Sequence, residues 1–282
     1  MFQLHWLVKR NFLLFFKDPR KILTTFISPI ITVFCFILFG KYLFSQQVAS
    51  LPISDLEKAK FVDASMLTGL LSLSTITTAL SLAVFIVQDA EKKIFNDLAI
   101  TPIKPSLIRF SYLMVNILLN VLICIVLYIL FIIYMAINGT IKLFTLISAF
   151  NVFGIVVLGA ILNSAIFTFI FSFVKNVAIY SALMGMISSM SGFFIGAFIP
   201  LELFPTSLKH VLSILPGTQI TNLIRYYAMS GMPFMSSHHS YYAIALVGKV
   251  IEPWIAFVYV SSFAVLSIAF SYIFRFNAKK AR

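Results

Sequence analysis

The sequence predicts an all-α membrane protein with six transmembrane helices, an amphipathic N-terminal helix, and short helices in two of its connections. Three observations predict it. Of 282 residues, 61% are hydrophobic and 11% charged, where a soluble domain is nearer half apolar and a quarter charged. The mean hydropathy of +1.02 is more than a water-soluble fold of this length can bury. The apolar residues also gather in six stretches of about 20 or more, the length that crosses a hydrocarbon core as helix. These features disfavour a soluble enzyme, a disordered chain and a nucleic-acid-binding domain. The net charge of +12 reads instead as topological, because the bases lie in short runs beside apolar stretches.

The first segment, Phe2–Lys17, reads as a helix lying on the membrane surface. Leu4, Leu7, Val8, Phe12, Phe15 and Phe16 fall near one face, with His5, Lys9 and Arg10 elsewhere. It ends in Lys17-Asp18-Pro19-Arg20-Lys21 and is too short in its apolar run to be a secretory signal. A plain juxtamembrane tail is the alternative. Six spans follow, near Ile22–Phe44, Met66–Val87, Leu107–Ile137, Leu143–Val174, Val177–Ile199 and Trp254–Phe274. The third and fourth exceed one crossing and are expected to tilt or break. Asn151, Gly154, Gly159 and Asn163 single out the fourth. No linker or low-complexity tract divides residues 1–282, so one domain is expected. It comprises 1–21, spans one to five over 22–199, an outer segment over 200–253, and span six with its tail over 254–282.

Six spans put both termini on one side. About two thirds of the 21 bases fall on the side of the N-terminus, in runs such as Lys17 to Lys21, Lys92-Lys93 and Lys279-Lys280. Both termini are therefore expected in the cytoplasm.

Three segments are not simple spans. Gln88–Pro105, on the inner side, places Ile94, Phe95, Leu98 and Ala99 at helical spacing among Glu91, Lys92, Lys93 and Asp97. Asp89 is a candidate N-cap, and Pro102 and Pro105 end the helix. This short amphipathic helix either rests on the membrane surface or docks its apolar side chains into a groove on a partner. The outer stretch Pro200–Pro253 holds two apolar pieces too short to span, Leu203–Leu215 and Gln219–Ala228. Pro205 can open the first, Pro216-Gly217 breaks the chain and Thr218 can cap the second. They form a re-entrant hairpin or a surface-lying loop. Arg225 then needs an anion, a carbonyl or the headgroup region. In span five, Ser181, Gly185, Ser188, Ser189, Gly192 and Gly196 lie close to one face, and such small-residue faces let helices approach.

The chemistry that is missing narrows the function. There is no GxxxxGK[ST] phosphate loop, HExxH, CxxC or GxSxG. Adjacent His238 and His239 lack a third ligand nearby, so no metal site is expected. Cys35 and Cys124 each lie within an apolar stretch, which leaves no disulfide framework. Intramembrane charge is nearly absent, Lys41, Asp63, Arg109 and Arg275 sitting at span ends. That argues against an ion-coupled carrier and against an intramembrane transferase.

The pattern resembles the ABC-2 class of ABC-transporter permeases, the membrane half of type V exporters. The resemblance rests on five features. They are the amphipathic start ending in Lys17-Asp18-Pro19-Arg20-Lys21, Ser28-Pro29 and Phe39-Gly40 in span one, and the string Leu98 to Pro102, similar to the family's "L-x-x-T-P". The others are Phe198 to Glu202 with Phe204-Pro205, and Leu215-Pro216-Gly217-Thr218 ahead of Leu223-Ile224-Arg225. Two departures are an extra outer stretch, Gly231–Glu252, and the absence of a glycine-rich character before Glu91.

The resemblance implies a permease subunit paired with a second copy or a related permease, embedded in the lipids of a bacterial cell membrane. It implies two cytoplasmic ATPase subunits, which would carry ATP and Mg²⁺, so that this chain binds no cofactor of its own. Residues 88–102 would be the coupling helix, with Asp89, Glu91, Lys92, Ile94, Phe95, Asp97, Leu98, Thr101 and Pro102 at the ATPase. The N-terminal helix, through Phe12, Phe15, Phe16, Lys17, Asp18 and Arg20, would contact it too. Pro200, Pro205, Pro216, Gly217 and Arg225 would belong to an outer gate, and Gly185, Gly192 and Gly196 to helix packing. The expected substrate is hydrophobic or amphiphilic (a drug, peptide or lipid-linked molecule), with the drug- and peptide-exporting branch nearer. The competing reading is a membrane sensor or immunity protein that binds a ligand without moving it.

Overall fold

The structure is a computed structural model that describes residues 2–49, 53–101, 103–199, 201, 204–230 and 244–273. It is 84% helical, with six helical segments long and apolar enough to cross a membrane. The all-α multi-pass fold expected from composition is therefore what the chain forms.

Helix α1 (Phe2–Phe16) precedes a first span built of three joined pieces. These are α2 (Pro19–Cys35), a π-helical turn at Phe36–Gly40, and α3 (Lys41–Val48). The second span is α4 (Asp55–Leu82) continued past a turn at Ala83 by α5 (Val84–Glu91). A short helix α6 (Ile94–Ala99) leads to the third span, α7 (Pro105–Ile137). The fourth is α8 (Leu146–Phe171) and the fifth α9 (Val177–Phe194). Two short helices, α10 (Thr206–Ser213) and α11 (Pro216–Met229), precede a small antiparallel hairpin pairing Ala245 with Val250 and Leu246 with Lys249. The sixth span is α12 (Pro253–Ile273).

The starts of these helices follow from local chemistry. Ser54 and Glu57 form a reciprocal capping box at α4. Thr145 caps α8, Asn176 caps α9, and Pro105 and Pro216 occupy first-turn positions where a missing N–H costs nothing.

Helix α4 is the centre of the bundle, with every residue from Lys60 to Leu82 buried. α2, α7, α8, α9 and α11 pack around it. Four of its hydroxyls, those of Thr68, Ser72, Thr75 and Ser81, bond to its own backbone, while those of Ser74, Thr77 and Thr78 are buried without a partner among the described residues. Thr68 Oγ1 donates to the Ala64 carbonyl at 2.8 Å and Ser72 Oγ to the Thr68 carbonyl at 2.7 Å. Three asparagines tie neighbours to it. Asn120 Nδ2 donates to the Thr75 carbonyl at 3.0 Å, Asn116 Nδ2 to the Ala79 carbonyl at 3.1 Å, and Asn163 Nδ2 to Thr75 Oγ1 at 2.9 Å. Within lipid there is little hydrophobic drive between helices, so close packing and such bonds hold the bundle, at roughly 0.6 kcal/mol each on average.

Several expectations are corrected. The second span starts near Asp55 rather than Met66, so Lys58 and Lys60 belong to helix and not to an outer loop, and Asp63 lies within the helix rather than at its end. The fourth span runs unbroken from Leu146 to Phe171. Its Gly159 lets Ile220 of α11 approach, and its Asn163 bonds to α4, so both irregular-looking residues serve packing. The irregularity lies in span one instead, at the π turn, where Phe36 packs against Phe198 at 5.4 Å between ring centres. The extra outer stretch ends in the β-hairpin, whose turn residues Val247 and Gly248 have φ of 48° and 77°.

Candidate functional site: the α1, α5 and α6 face

At one end of the bundle, α1, α5, α6 and the starts of α7 and α9 converge. Asp89 lies within the last turns of α5 and is not an N-cap of α6, which begins after Lys93 in the left-handed region at φ 58°. The Asp89 carboxylate accepts from Arg10 Nη1 of α1 at 3.2 Å and from the Tyr112 hydroxyl of α7. Arg10 also donates to Asn11 Oδ1 at 2.7 Å, and buried Asn11 donates to Ser111 Oγ of α7 at 3.2 Å. Burial works to lower the Arg10 pKa, but Tyr112 and Asp89 outweigh it and hold the guanidinium above its ordinary range.

Glu91 makes the second link. Its Oε1 accepts from the Val177 N–H at 3.0 Å, while Asn176 Oδ1 accepts from the next two N–H groups, at 2.8 and 3.1 Å. A carboxylate at the positive end of α9 is favoured by the helix dipole as well as by the bond. α5 is thereby joined to α1, α7 and α9 by two acidic side chains two residues apart.

The apolar side of α6 packs in part on the bundle itself. Phe95 packs edge to face on Tyr112 at 5.9 Å, and both Phe95 and Leu98 lie against the cluster of Leu7, Ile86, Val87 and Ile108. Ile94 is half-buried, and Thr101 Oγ1 closes the helix on the Leu98 carbonyl at 2.6 Å. Lys92, Lys93 and Asp97 face outward with Ile100, which is 88% exposed. Pro102 lies outside the described residues.

Along α1, Leu7, Asn11 and Phe15 point inward and Phe12 is half-buried, but Phe16 is exposed, together with Trp6, Leu13 and Leu14. α1 therefore has two apolar strips, one docked on α7 and α2 and one exposed, where a single face was expected. Lys17 is exposed, and Asp18 lies 4.0 Å from Lys21 Nζ, which sits over the Phe85 ring. For Arg20 the structure describes the backbone alone, in the first turn of α2.

At the opposite end, α10 and α11 enter the bundle from its rim. Gly217 approaches Ile76, well inside α4, and α11 climbs back until Ser230 Oγ meets Ser148 Oγ at 2.8 Å. Thr218 does not cap this helix; its hydroxyl donates to the Phe194 carbonyl at 3.2 Å. Arg225 is buried and donates to the Gly196 carbonyl at 2.7 Å, so a carbonyl answers its need. Pro205 precedes α10, while Pro200 lies outside the described residues.

The expected glycine face divides. Gly196 is not on α9; it ends it, at φ 70°, with its N–H donating to the Phe193 carbonyl and the Ala197 N–H to the Gly192 carbonyl. Gly192 faces the Phe198 ring, which a Cβ would meet at 2.1 Å. Gly185 is exposed with open space beside it.

Sequence reasoning missed Arg10, Asn11 and Tyr112 as connecting residues. A signal was available for Asn11, a polar residue one helical turn from both Leu7 and Phe15 on the inward strip. Comparison of the chain with curated proteins finds no match. A family model for the ABC-2 type transporter matches residues 2–229, most of the chain and all the linked elements described above. Its length, and the six apolar helices it accompanies, assign this chain to the ABC-2 type transporter family.

Proposed function

We propose that this chain is the permease subunit of an ABC exporter that moves a hydrophobic or amphiphilic substrate using a separate cytoplasmic ATPase. The observation that carries the reading is the pair of acidic links on α5. A push on the outward face of α6 passes through Glu91 to the first turn of α9, and through Asp89 to α1 and α7. A mechanical input at this face therefore has a path through α5 to three other elements. In this reading the ATPase, in two copies, seats on Lys92, Lys93, Asp97 and Ile100, with the exposed end of α1 beside it. Phe95 and Leu98, committed to the bundle, transmit rather than dock. The open face of α9 around Gly185 is available to a second permease copy. The re-entrant pair α10–α11, pinned by Arg225, would close the far end, and the α6 face and both termini would lie in the cytoplasm of a bacterial cell.

The test is reconstitution with a candidate ATPase. The purified chain alone should hydrolyse no ATP, lacking a phosphate loop. Ile100→Asp should lower capture of the ATPase and its stimulated hydrolysis at least tenfold, because a charge in a packed groove loses apolar burial and adds desolvation. Lys209→Ala, at the other end, should change neither. If Ile100→Asp inserts normally and leaves both unaltered, the docking face is misassigned.

A further inference from the structure

Two cavities lie in one groove, between the first span (α2, the π turn and α3) and α7, with α4 as the floor. One, of about 180 Å³, is apolar, walled by Phe36, Ile37, Met66, Leu70, Leu130 and Tyr134 among others. The second, of about 340 Å³, is polar, with Lys41, Ser45, Lys58, Asp63, Asn138 and Thr140 in its walls. Every wall passes from apolar to polar within about one helical turn: Ile37 to Lys41, Met66 to Asp63, and Tyr134 to Asn138. The polar cavity thus sits about 5 Å further toward the end of the bundle opposite α6. The side of the groove is open, with Ile37 49% and Leu130 56% exposed.

The charges are arranged for a ligand with both signs. Asp63, 4% exposed, accepts from Thr140 Oγ1 at 2.7 Å. Among the described residues neither Lys41 nor Lys58 forms an ion pair with it. Lys58 Nζ donates one proton to the Ala49 carbonyl at 3.3 Å, and an ammonium has two more. Two cations and one carboxylate complement a phosphate diester carrying an ammonium group. Below them, an apolar cavity of about 150 Å³ is enough to hold a benzene ring, so this slot holds a short length of acyl chain. The rest of the chain can run along the exposed flank of α2 and α7.

We propose that this groove binds a zwitterionic phospholipid from the leaflet at that end of the bundle. Its phosphate lies between Lys41 and Lys58, its ammonium group faces Asp63, and one acyl chain enters the slot beside Met66 and Leu70. The proposal needs only that the chain is embedded in a membrane. It stands or falls independently of the ATPase reading.

The test uses the purified full chain in detergent, titrated with dioleoyl phosphatidylethanolamine, with bound lipid counted by native mass spectrometry. Wild type should hold one lipid that survives delipidation. The double variant Lys41→Ala, Lys58→Ala should weaken that binding by about tenfold or more. Leu130→Trp, which fills the slot from an exposed position, should weaken it similarly, and Lys209→Ala should not. Equal retention by all variants would mean ordinary annular lipid and overturn the proposal. So would dioleoylglycerol binding as tightly, which would mean apolar adhesion alone. Inorganic phosphate binding to the lysines, with lipid binding untouched by Leu130→Trp, would mean a phosphate site and overturn it also.

Discussion

Replacing Asp89 by alanine removes the one acceptor shared by α1, α5 and α7. Two hydrogen bonds to a charged group are lost, each worth about 1.5–3 kcal/mol in general. They are not equal here. Arg10 is 34% exposed on its side chain and can turn to water, so its share falls to about 1 kcal/mol. Tyr112 is only 5% exposed, and its stranded hydroxyl costs about 1–3 kcal/mol. The total is about 2–4 kcal/mol. It is local, because Leu7, Phe15 and the bond from Asn11 to Ser111 still hold α1 to the bundle. At 1.4 kcal/mol per factor of ten, amide exchange over residues 84–101 should speed up roughly 30- to 700-fold in nanodiscs. Residues 2–16 should follow more weakly. Arg10→Ala should cost about 1 kcal/mol and Tyr112→Phe no more than Asp89→Ala. Mass-resolved hydrogen exchange reads all three. Exchange over 84–101 within twofold of wild type in Asp89→Ala, or a larger effect from Arg10→Ala, would refute the carboxylate as the hub.

Gly192→Ala should destabilise by more than about 2 kcal/mol, since its Cβ would lie 2.1 Å from the Phe198 ring and over-packing of this kind costs about 1–3 kcal/mol. Gly185→Ala, with nothing nearby, should be neutral or stabilise by up to about 1 kcal/mol through helix propensity; thermal unfolding in detergent measures both, and equal losses would show that Gly185 is packed after all. With Cys35 and Cys124 replaced, a cysteine at exposed Lys249 should label from outside intact cells with an impermeant reagent, and one at exposed Lys92 only after the membrane is opened. The reverse pattern would invert the chain and remove the α6 face from the cytoplasm.

Much of the fold was legible because length and apolar periodicity are local properties. Leu107–Ile137 and the fifth span's start at Val177 lie within two residues of the helices that form, and Pro105 and Asn176 are start signals that act on their own neighbours. The ends set by long-range contact were misplaced. Met66 looked like the start of a span because Lys58, Lys60 and Asp63 precede it. In the structure the capping box at Ser54 starts the helix earlier, and packing against α3 and the turn at Thr140 buries Lys60 and Asp63. Gly196 looked like part of a small-residue face, but its positive φ ends α9 and aims its carbonyl at Arg225.

By itself, the sequence determined that the chain must live in a membrane, how many times it can cross, and that it carries no phosphate loop. It also marked the segments that depart from plain spans, through prolines, charge and spacing. The tertiary structure alone decided what those segments touch. An amphipathic helix such as Ile94–Ala99 has an apolar side whatever it packs on, and spacing cannot distinguish lipid, partner and the protein's own bundle. Here part of that side packs on Tyr112 and the bundle cluster around it. Asp89 likewise read as an N-cap and Glu91 as a charge on the polar face, because the groups that answer them, Arg10 and the Val177 N–H, are 79 and 86 residues away in the chain. Side-chain partners at that separation are set by how the helices cross, and periodicity within one helix carries no record of it.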